Sequence, residues 1–316
     1  MSGIEIILYL SGGLVLLFLG GEGLIRGSSN LAIKIGITPL LVGLTVVAFG
    51  TSAPELVVSL KAALMGNSSI SLGNVVGSNI ANIALVLGSA ALIRPLEVQA
   101  NVIRREIPIM IGISVVMILF LLDGELGEID GIIFISLLIL YTLINIFIAR
   151  KEKNPEVDTQ FNNKLRSKFG IAISIILMIF GLGLLVLGAN FFVQGAVATA
   201  KLFNVSDAII GLTIVSIGTS LPELITSVVA SYKRESDIII GNVIGSNIFN
   251  ILSILGITAI IIPISSAGIT YIDLGVMLFA AIILLPLSKS GFLITRWEGA
   301  LLLLGYAGYM YYLLPK

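Results

Sequence analysis

The chain has no cysteine and no histidine, and only 11% of its 316 residues are charged. Without cysteine there can be no disulfide, no thiolate metal site and no cysteine nucleophile, and the redox compartment stays undetermined. Without histidine there is no His-ligated zinc, no Ser-His catalysis and no imidazole proton relay. Eighteen basic residues balance eighteen acidic ones, so the chain lacks the cationic excess that would make nucleic acid a partner. What is abundant is apolar: 57% of residues are hydrophobic and the mean hydropathy is +1.11. Soluble domains carry about 25% charged and about 45–50% apolar residues. No soluble core could hide this excess, and the composition implies an integral membrane protein with little equipment for enzymology.

A bilayer core about 30 Å thick needs roughly 20 apolar residues per helix. Such stretches run over 4–25, 38–62, 70–93, 106–122, 129–149, 170–193, 207–231, 238–262, 270–288 and 297–314. The expectation is an all-α polytopic membrane protein with ten transmembrane helices, since a helix satisfies its own backbone in lipid. Nothing alternates with the short period of a membrane β-barrel. The first span lacks a basic leader and a small-residue cleavage site, and it reads as a retained helix.

Lysine and arginine set the orientation. The longest polar segment, 150–169, carries Arg150, Lys151, Lys153, Lys164, Arg166 and Lys168. Placing it in the cytoplasm puts Arg26, Lys34, Arg94, Arg104, Arg105, Lys233, Arg234, Lys289 and Arg296 inside as well, and leaves Lys61, Lys201 and Lys316 outside. The loop with Asp123, Glu125, Glu128 and Asp130 then faces outward, as do both termini of a chain embedded in the cell membrane.

Sliding the sequence against itself by 168 residues aligns it without a gap. Gly13, Gly20 and Gly27 fall on Gly181, Gly188 and Gly195; GLTVVAFGTSAPEL (43–56) falls on GLTIVSIGTSLPEL (211–224). SLGNVVGSNIANI (71–83) falls on IIGNVIGSNIFNI (239–251), and Gly131 and Tyr141 on Gly299 and Tyr309. The duplication divides the chain into a five-helix repeat at 1–149, a basic cytoplasmic linker at 150–169 and a second five-helix repeat at 170–316. Five is odd, so the second repeat enters the membrane inverted, a transporter architecture with its site at the repeat interface. The duplicated halves can supply a complete site within one chain, so a functional monomer in membrane lipid is expected.

Sixteen of the acidic residues lie near span ends or in loops, Glu22 close to the end of the first helix. The other two, Glu55 and Glu223, sit inside the second and seventh spans at equivalent positions of the repeat. An ionised carboxylate at the bilayer centre costs at least about 2.5–3.5 kcal/mol, and no intramembrane Lys, Arg or His can pair with either. Something mobile must neutralise them: a metal cation, a proton, or both in turn.

Their neighbours favour a metal cation. Pro54 and Pro222 have no N–H, so the carbonyls of Gly50 and Gly218 lose their helical donors. The glycines let the helix break there, freeing neighbouring carbonyls that include those of Thr51 and Thr219. Thr51 and Ser52 share the face of Glu55, as Thr219 and Ser220 share that of Glu223, with Ala48 and Ser216 a further turn back. Ser78 and Asn82 form an i, i+4 pair in the next helix, mirrored by Ser246 and Asn250. An all-oxygen donor set of this kind suits Ca²⁺ or Na⁺, whereas copper or zinc favours nitrogen and sulfur. Gly73–Gly77 and Gly241–Gly245 either pack helices or shape the site. Asn74, Asn79, Asn242 and Asn247 either join helices or serve as ligands. The glycines of helices 1 and 6 read as packing or sliding surfaces.

With GTSAPEL, GTSLPEL, GNVVGSN and GNVIGSN in duplicated positions, the chain resembles the Ca²⁺/cation antiporter superfamily, in particular its prokaryotic sodium/calcium exchanger branch. The GNATEL-like and GNAAEH-like motifs of the proton/calcium branch are absent. The resemblance implies cation sites between helices 2, 3, 7 and 8, with no cofactor beyond the transported Ca²⁺ and Na⁺. Glu55, Glu223 and the carbonyls of Thr51 and Thr219 would hold Ca²⁺. Flanking Na⁺ sites would use the Ala48 carbonyl, Ser52 and Ser78 on one side and the Ser216 carbonyl, Ser220 and Ser246 on the other, sharing the two glutamates; Asn82 and Asn250 would line the middle. It also implies that helices 1 and 6 slide as a gate. Some relatives, including potassium-dependent ones, have Asp where this chain has Asn250, and the amide limits the site to a charge of −2. The linker is too short for the calcium-sensing domains of animal exchangers.

The function expected is electrogenic secondary antiport of Na⁺ against Ca²⁺. Its rivals are a Ca²⁺/H⁺ antiporter on the same scaffold, in which the glutamates carry protons, and a cation channel, against which the inverted repeat and broken helices speak. An intramembrane hydrolase using Ser52 or Ser220 lacks a general base.

Overall fold

The computed structural model describes residues 2–66, 68–151, 170–203 and 216–313. Long apolar helices make up almost all of them: α1 (Gly3–Ile35), α2 (Pro39–Thr51), α3 (Ala53–Leu64), α4 (Ser68–Ala81, continued by a π turn at Asn82–Leu87 and by Gly88–Ile93) and α5 (Val102–Asp123). They are followed by α6 (Glu128–Lys151), α7 (Ile171–Leu202), α8 (Leu221–Lys233, preceded by the turn Ser216–Thr219), α9 (Ser236–Phe249, continued by a π turn at Asn250–Leu255 and by Gly256–Ile261), α10 (Tyr271–Lys289) and α11 (Arg296–Leu313). Seven of these helices are long and apolar enough to cross a membrane, and α2 and α3 pass the same test only when taken together, with a bend of 42° between them.

The expected spans differ from these helices in three places. The stretches 4–25 and 170–193 stop short, because α1 has 33 residues and α7 has 32. At 1.5 Å per residue each is about 50 Å long, enough to cross a 30 Å core at a steep tilt. Hydropathy ends the first span at Arg26, but Arg26 forms an ion pair with Glu22, which also accepts from Lys233 Nζ of α8 at 2.7 Å. The helix therefore carries Glu22 and Arg26 past α8 as satisfied pairs. The boundary drawn at 149 falls inside α6, which continues to Lys151, and the rest of the linker lies outside the described residues, as does 207–215 of the seventh span.

The two longest helices cross through glycine. A Cβ at Gly13 would lie 2.9 Å from the Gly188 carbonyl, and one at Gly20 would lie 2.7 Å from that of Gly181. Gly188 and Gly181 approach the carbonyls of Gly13 and Gly20 just as closely. Backbone thus lies against backbone, the packing expected of these glycines. Gly241 and Gly245 of α9 are likewise pressed against Leu40 and Leu44 of α2, so that GxxxG pair packs helices.

Contacts elsewhere exchange when the numbering shifts by 168. Gly131 of α6 abuts the Gly256 carbonyl of α9, and Gly299 of α11 abuts the Gly88 carbonyl of α4. Two short antiparallel ribbons repeat the pattern: β1 (Leu96–Glu97) pairs with β4 (Leu293–Ile294), and β2 (Glu125–Leu126) with β3 (Ile264–Ser265). The core sits in α4 and α9, which are the most enclosed of the spanning helices.

Candidate functional site

The helix break comes two residues before each proline, at Ser52 and Ser220, which both leave helical geometry with ψ near 0° (ψ 1° and 6°). Pro54 and Pro222 then occupy the first turn of the helices that follow, where a missing N–H costs nothing. Gly50 and Gly218 do not themselves break the chain, contrary to expectation. Each lies inside a helical turn, where a Cβ would collide with a side chain of α7, Leu182 at Gly50 and Val193 at Gly218. Their smallness serves close packing, and the proline acts alone as the breaker.

The break points carry the two acids inward. Glu55 is 1% exposed and Glu223 is 2% exposed. Among the described residues neither oxygen of Glu55 meets a hydrogen-bond donor, and Glu223 Oε2 meets none. Glu223 Oε1 accepts from Ser52 Oγ at 3.3 Å, a bond from one half of the chain to the other. The helix of Glu55 packs on the π turn of Asn250, and the helix of Glu223 on that of Asn82. Both π turns start at these asparagines, so the ladder widens where α4 and α9 meet the acids.

The asparagines are cross-linked. Asn82 Nδ2 donates to Asn247 Oδ1 at 3.1 Å, and Asn250 Nδ2 donates to Asn79 Oδ1 at 3.0 Å. Asn79 Nδ2 donates to the Asn247 backbone carbonyl at 3.3 Å. Asn79 and Asn247 thus join α4 to α9. Asn74 binds Ser59 Oγ at 2.9 Å and the Glu55 carbonyl at 3.3 Å, bracing α3 on α4. Asn242 Oδ1 accepts from Thr51 Oγ1 at 3.2 Å.

The other anticipated ligands have these places. Ser78, Ser220 and Ser246 are buried, and the hydroxyls of Ser220 and Ser246 have no partner among the described residues. Thr51 is fully buried and turns its hydroxyl back to the Val47 carbonyl at 3.1 Å, and Thr219 is half-buried. The Ala48 carbonyl already accepts from Ser52 N–H at 3.0 Å and from Thr51 Oγ1 at 3.4 Å. The single Thr51 hydroxyl proton has nearer acceptors in the Val47 carbonyl and Asn242 Oδ1, so the Ala48 carbonyl keeps a lone pair beyond the one that Ser52 N–H engages. Ser216 begins its short turn, and its side chain lies outside the described residues.

A family model described as sodium/calcium exchanger protein matches residues 5–147 and, a second time, residues 173–314. The chain belongs to that family. Relatives of this exchanger include the sodium/calcium exchanger MaX1 of Methanosarcina acetivorans, 33% identical over 94% of this chain and 95% of its own length. The inner membrane protein YrbG of Escherichia coli K12 is 39% identical over 86% of this chain and 85% of its own. A solved structure of the sodium-calcium exchanger NCX_Mj, soaked without Na⁺ or Ca²⁺, superposes with a TM-score of 0.86 at 32% identity, covering 99% of this chain and all of that one. The family is one of transporters, not enzymes, with Na⁺ and Ca²⁺ as cargo, and this exchanger is a multi-pass membrane protein.

The donor set fits that cargo. In the exchanger the unpartnered buried atoms around the break points include Glu55 Oε1 and Oε2, Glu223 Oε2, Asn82 Oδ1, Asn250 Oδ1, Ser220 Oγ and Ser246 Oγ. These seven are oxygens, three of them carboxyl oxygens, beside one unpartnered amide nitrogen, Asn242 Nδ2, and no basic residue is hydrogen-bonded or ion-paired to the seven among the described residues. Leaving such groups bare costs several kcal/mol per ion, and a hard cation offsets that cost with the ligands it prefers.

Two further buried acids, Glu106 and Asp273, went unrecognised as such from the sequence. Glu106, fully buried at the start of α5, pairs with Arg105 and accepts from Tyr141 Oη at 2.8 Å. Tyr309, the repeat equivalent of Tyr141, donates in the same way to Asp273 at 2.9 Å. The recurrence of tyrosine at a spacing of 168 was the available signal. These pairs staple α6 to α5 and α11 to α10, and they are saturated, which sets them apart from Glu55 and Glu223.

Proposed function

We propose that this chain is a secondary antiporter that exchanges Na⁺ for Ca²⁺ by alternating access, with Glu55 and Glu223 as the shared cation ligands. The observation that carries the reading is the pair of buried carboxylates, one from each half, with three of their four oxygens unpartnered. Thr51 and Thr219 contribute carbonyls to Ca²⁺. Ala48, Ser52 and Ser78, with Ser216, Ser220 and Ser246, form the flanking Na⁺ sites, and Asn82 and Asn250 line the centre. Ca²⁺ and Na⁺ compete for the same oxygens, so one must leave before the other binds.

The frame of the reading is ten spans in two inverted repeats, 1–149 and 170–316, joined by a cytoplasmic linker, with both termini outside the cell membrane. The contacts that exchange under a shift of 168 support it, as does the double match of one family model. One Ca²⁺ or two Na⁺ balance the site's two charges; a third Na⁺ makes the cycle electrogenic, driven by about 2.3 kcal/mol per charge per 100 mV. Helices α1 and α7, locked to each other through glycine, move as one gate. The unit acts as a monomer surrounded by lipid.

The test is ⁴⁵Ca²⁺ uptake into proteoliposomes loaded with sodium or with choline, each with and without a pH gradient. Sodium-dependent uptake that ignores the pH gradient is expected, and Glu55→Gln or Glu223→Gln should abolish it. Uptake driven by the pH gradient alone would make H⁺ the coupling ion. Flux that needs no counter-gradient would replace the antiporter by a channel.

A further inference from the structure

We infer that Asn79 and Asn247 are positioning residues that turn the carboxamides of Asn82 and Asn250 oxygen-first toward the cation, an inference that rests on the antiport reading of this site. A carboxamide has a donor end and an acceptor end, and only the acceptor end attracts a cation. Which end faces the site is decided by what holds the other end.

Here the decision starts from a group with no choice. The backbone carbonyl of Asn247 can only accept, and Asn79 Nδ2 donates to it. Asn79 must then present Oδ1 on its other side, and that oxygen takes Nδ2 of Asn250. With its amide nitrogen tied, Asn250 leaves Oδ1 free, buried and without a partner. The mirrored arm runs through Asn247, whose Nδ2 is directed at Met110 Sδ at 3.5 Å and whose Oδ1 accepts from Asn82 Nδ2. Asn82 Oδ1 is in turn left free. All four residues are at most 2% exposed, so bulk water cannot substitute for a lost anchor. Two neutral oxygens are thereby aimed from α4 and α9 at the start of their π turns.

The same relay makes positions 79 and 250 a matched pair. An ionised Asp at 250 could not donate to Asn79 Oδ1, and two oxygens would face each other at hydrogen-bond distance. The amide at 250 therefore goes with the acceptor that Asn79 offers it.

The test is a double-mutant cycle on the purified full-length chain in detergent, read as the Ca²⁺ concentration that half-saturates thermal stabilisation. Asn79→Leu should raise that concentration about 10-fold or more, the usual effect of removing a group that orients a metal ligand. In an Asn250→Ala background the same substitution should change it less than about 2-fold, because the residue it acts through is gone. Asn247→Leu with and without Asn82→Ala repeats the cycle in the mirrored arm, and Asn79→Ser replaces the leucine wherever that variant does not fold. Equal losses in both backgrounds would overturn the inference, as would wild-type affinity in Asn79→Leu. Glu223→Gln separates the two levels: if it loses Ca²⁺ while Asn79→Leu keeps it, only the positioning role falls. If Glu223→Gln binds Ca²⁺ like wild type, the site itself is wrong and the inference falls with it.

Discussion

Replacing Gly20 by alanine tests the seam between α1 and α7. The added Cβ would lie 2.7 Å from both the Gly181 carbonyl oxygen and the Leu185 amide nitrogen, and these are backbone atoms that no rotamer change can move. Ordinary contact begins at 3.4 Å, so the helices must part locally by about 0.7 Å. A gap of that size forfeits roughly a quarter to a half of the dispersion energy of the contacts it opens. Overpacking of this kind costs about 1–3 kcal/mol. The same helices carry their own controls, since a Cβ at Gly12 or Gly183 meets nothing within 4 Å. Gly12→Ala and Gly183→Ala should therefore be neutral, or slightly favourable through better helix propensity. The assay is thermal denaturation of the purified variants in one detergent at one scan rate, because membrane-protein melting is a rate measurement as much as an equilibrium one. Gly20→Ala should melt several degrees below both controls and Gly181→Ala should match it. If all four melted together, the close crossing of the two helices would be refuted.

Three further outcomes follow from the same geometry. Since the chain has no cysteine, single substitutions report topology directly: with opposed repeats, Glu97→Cys should react with a membrane-impermeant maleimide only from the cytoplasmic face and the equivalent Ser265→Cys only from outside, and labelling of both from one face would rule out inversion. Tyr141→Phe removes the hydroxyl that Glu106 accepts and should lower stability by about 1–3 kcal/mol without altering the Ca²⁺ dependence of transport, measured by melting and by uptake. Glu235, half-buried between α8 and α9, has its carboxyl pushed above the usual carboxylate range by burial and by the charge of Asp237. Its contribution is thus complete below the unfolded value and lost as pH rises through the folded one, so Glu235→Gln should flatten the decline in melting temperature from pH 4.5 upward, and an unchanged pH profile would count against it.

Much of this molecule was legible in its sequence because lipid imposes a simple rule on composition. Apolar runs must be long, charges must be few, and Glu55 and Glu223 stood out because the basic residues of their helices, Lys61 and Lys233, sit in the last turns, away from the acids. The rule fails where a charge is satisfied locally, which is why α1 outruns the hydropathy boundary at Arg26 and why Glu106 resembled an ordinary span-end acid. The π turns at Asn82 and Asn250 leave no mark on residue spacing, since one extra residue per turn changes the hydrogen-bond ladder more than the pattern of faces. The sequence offered the pairing of Asn79 and Asn247 with the site asparagines only as a choice between joining helices and binding ions. Amide orientation depends on a partner some 170 residues away, and no local pattern records it.

The glycine seam, the two ribbons and the asparagine cross-links all run between one half of the chain and the other. Each is self-complementary in the manner of a twofold dimer interface. The halves are therefore held by these contacts in addition to the peptide bonds that fix their stoichiometry. Two separate polypeptides, ending near 151 and beginning near 170, would between them retain every one of these contacts. The single chain is, in its packing, an assembly of two.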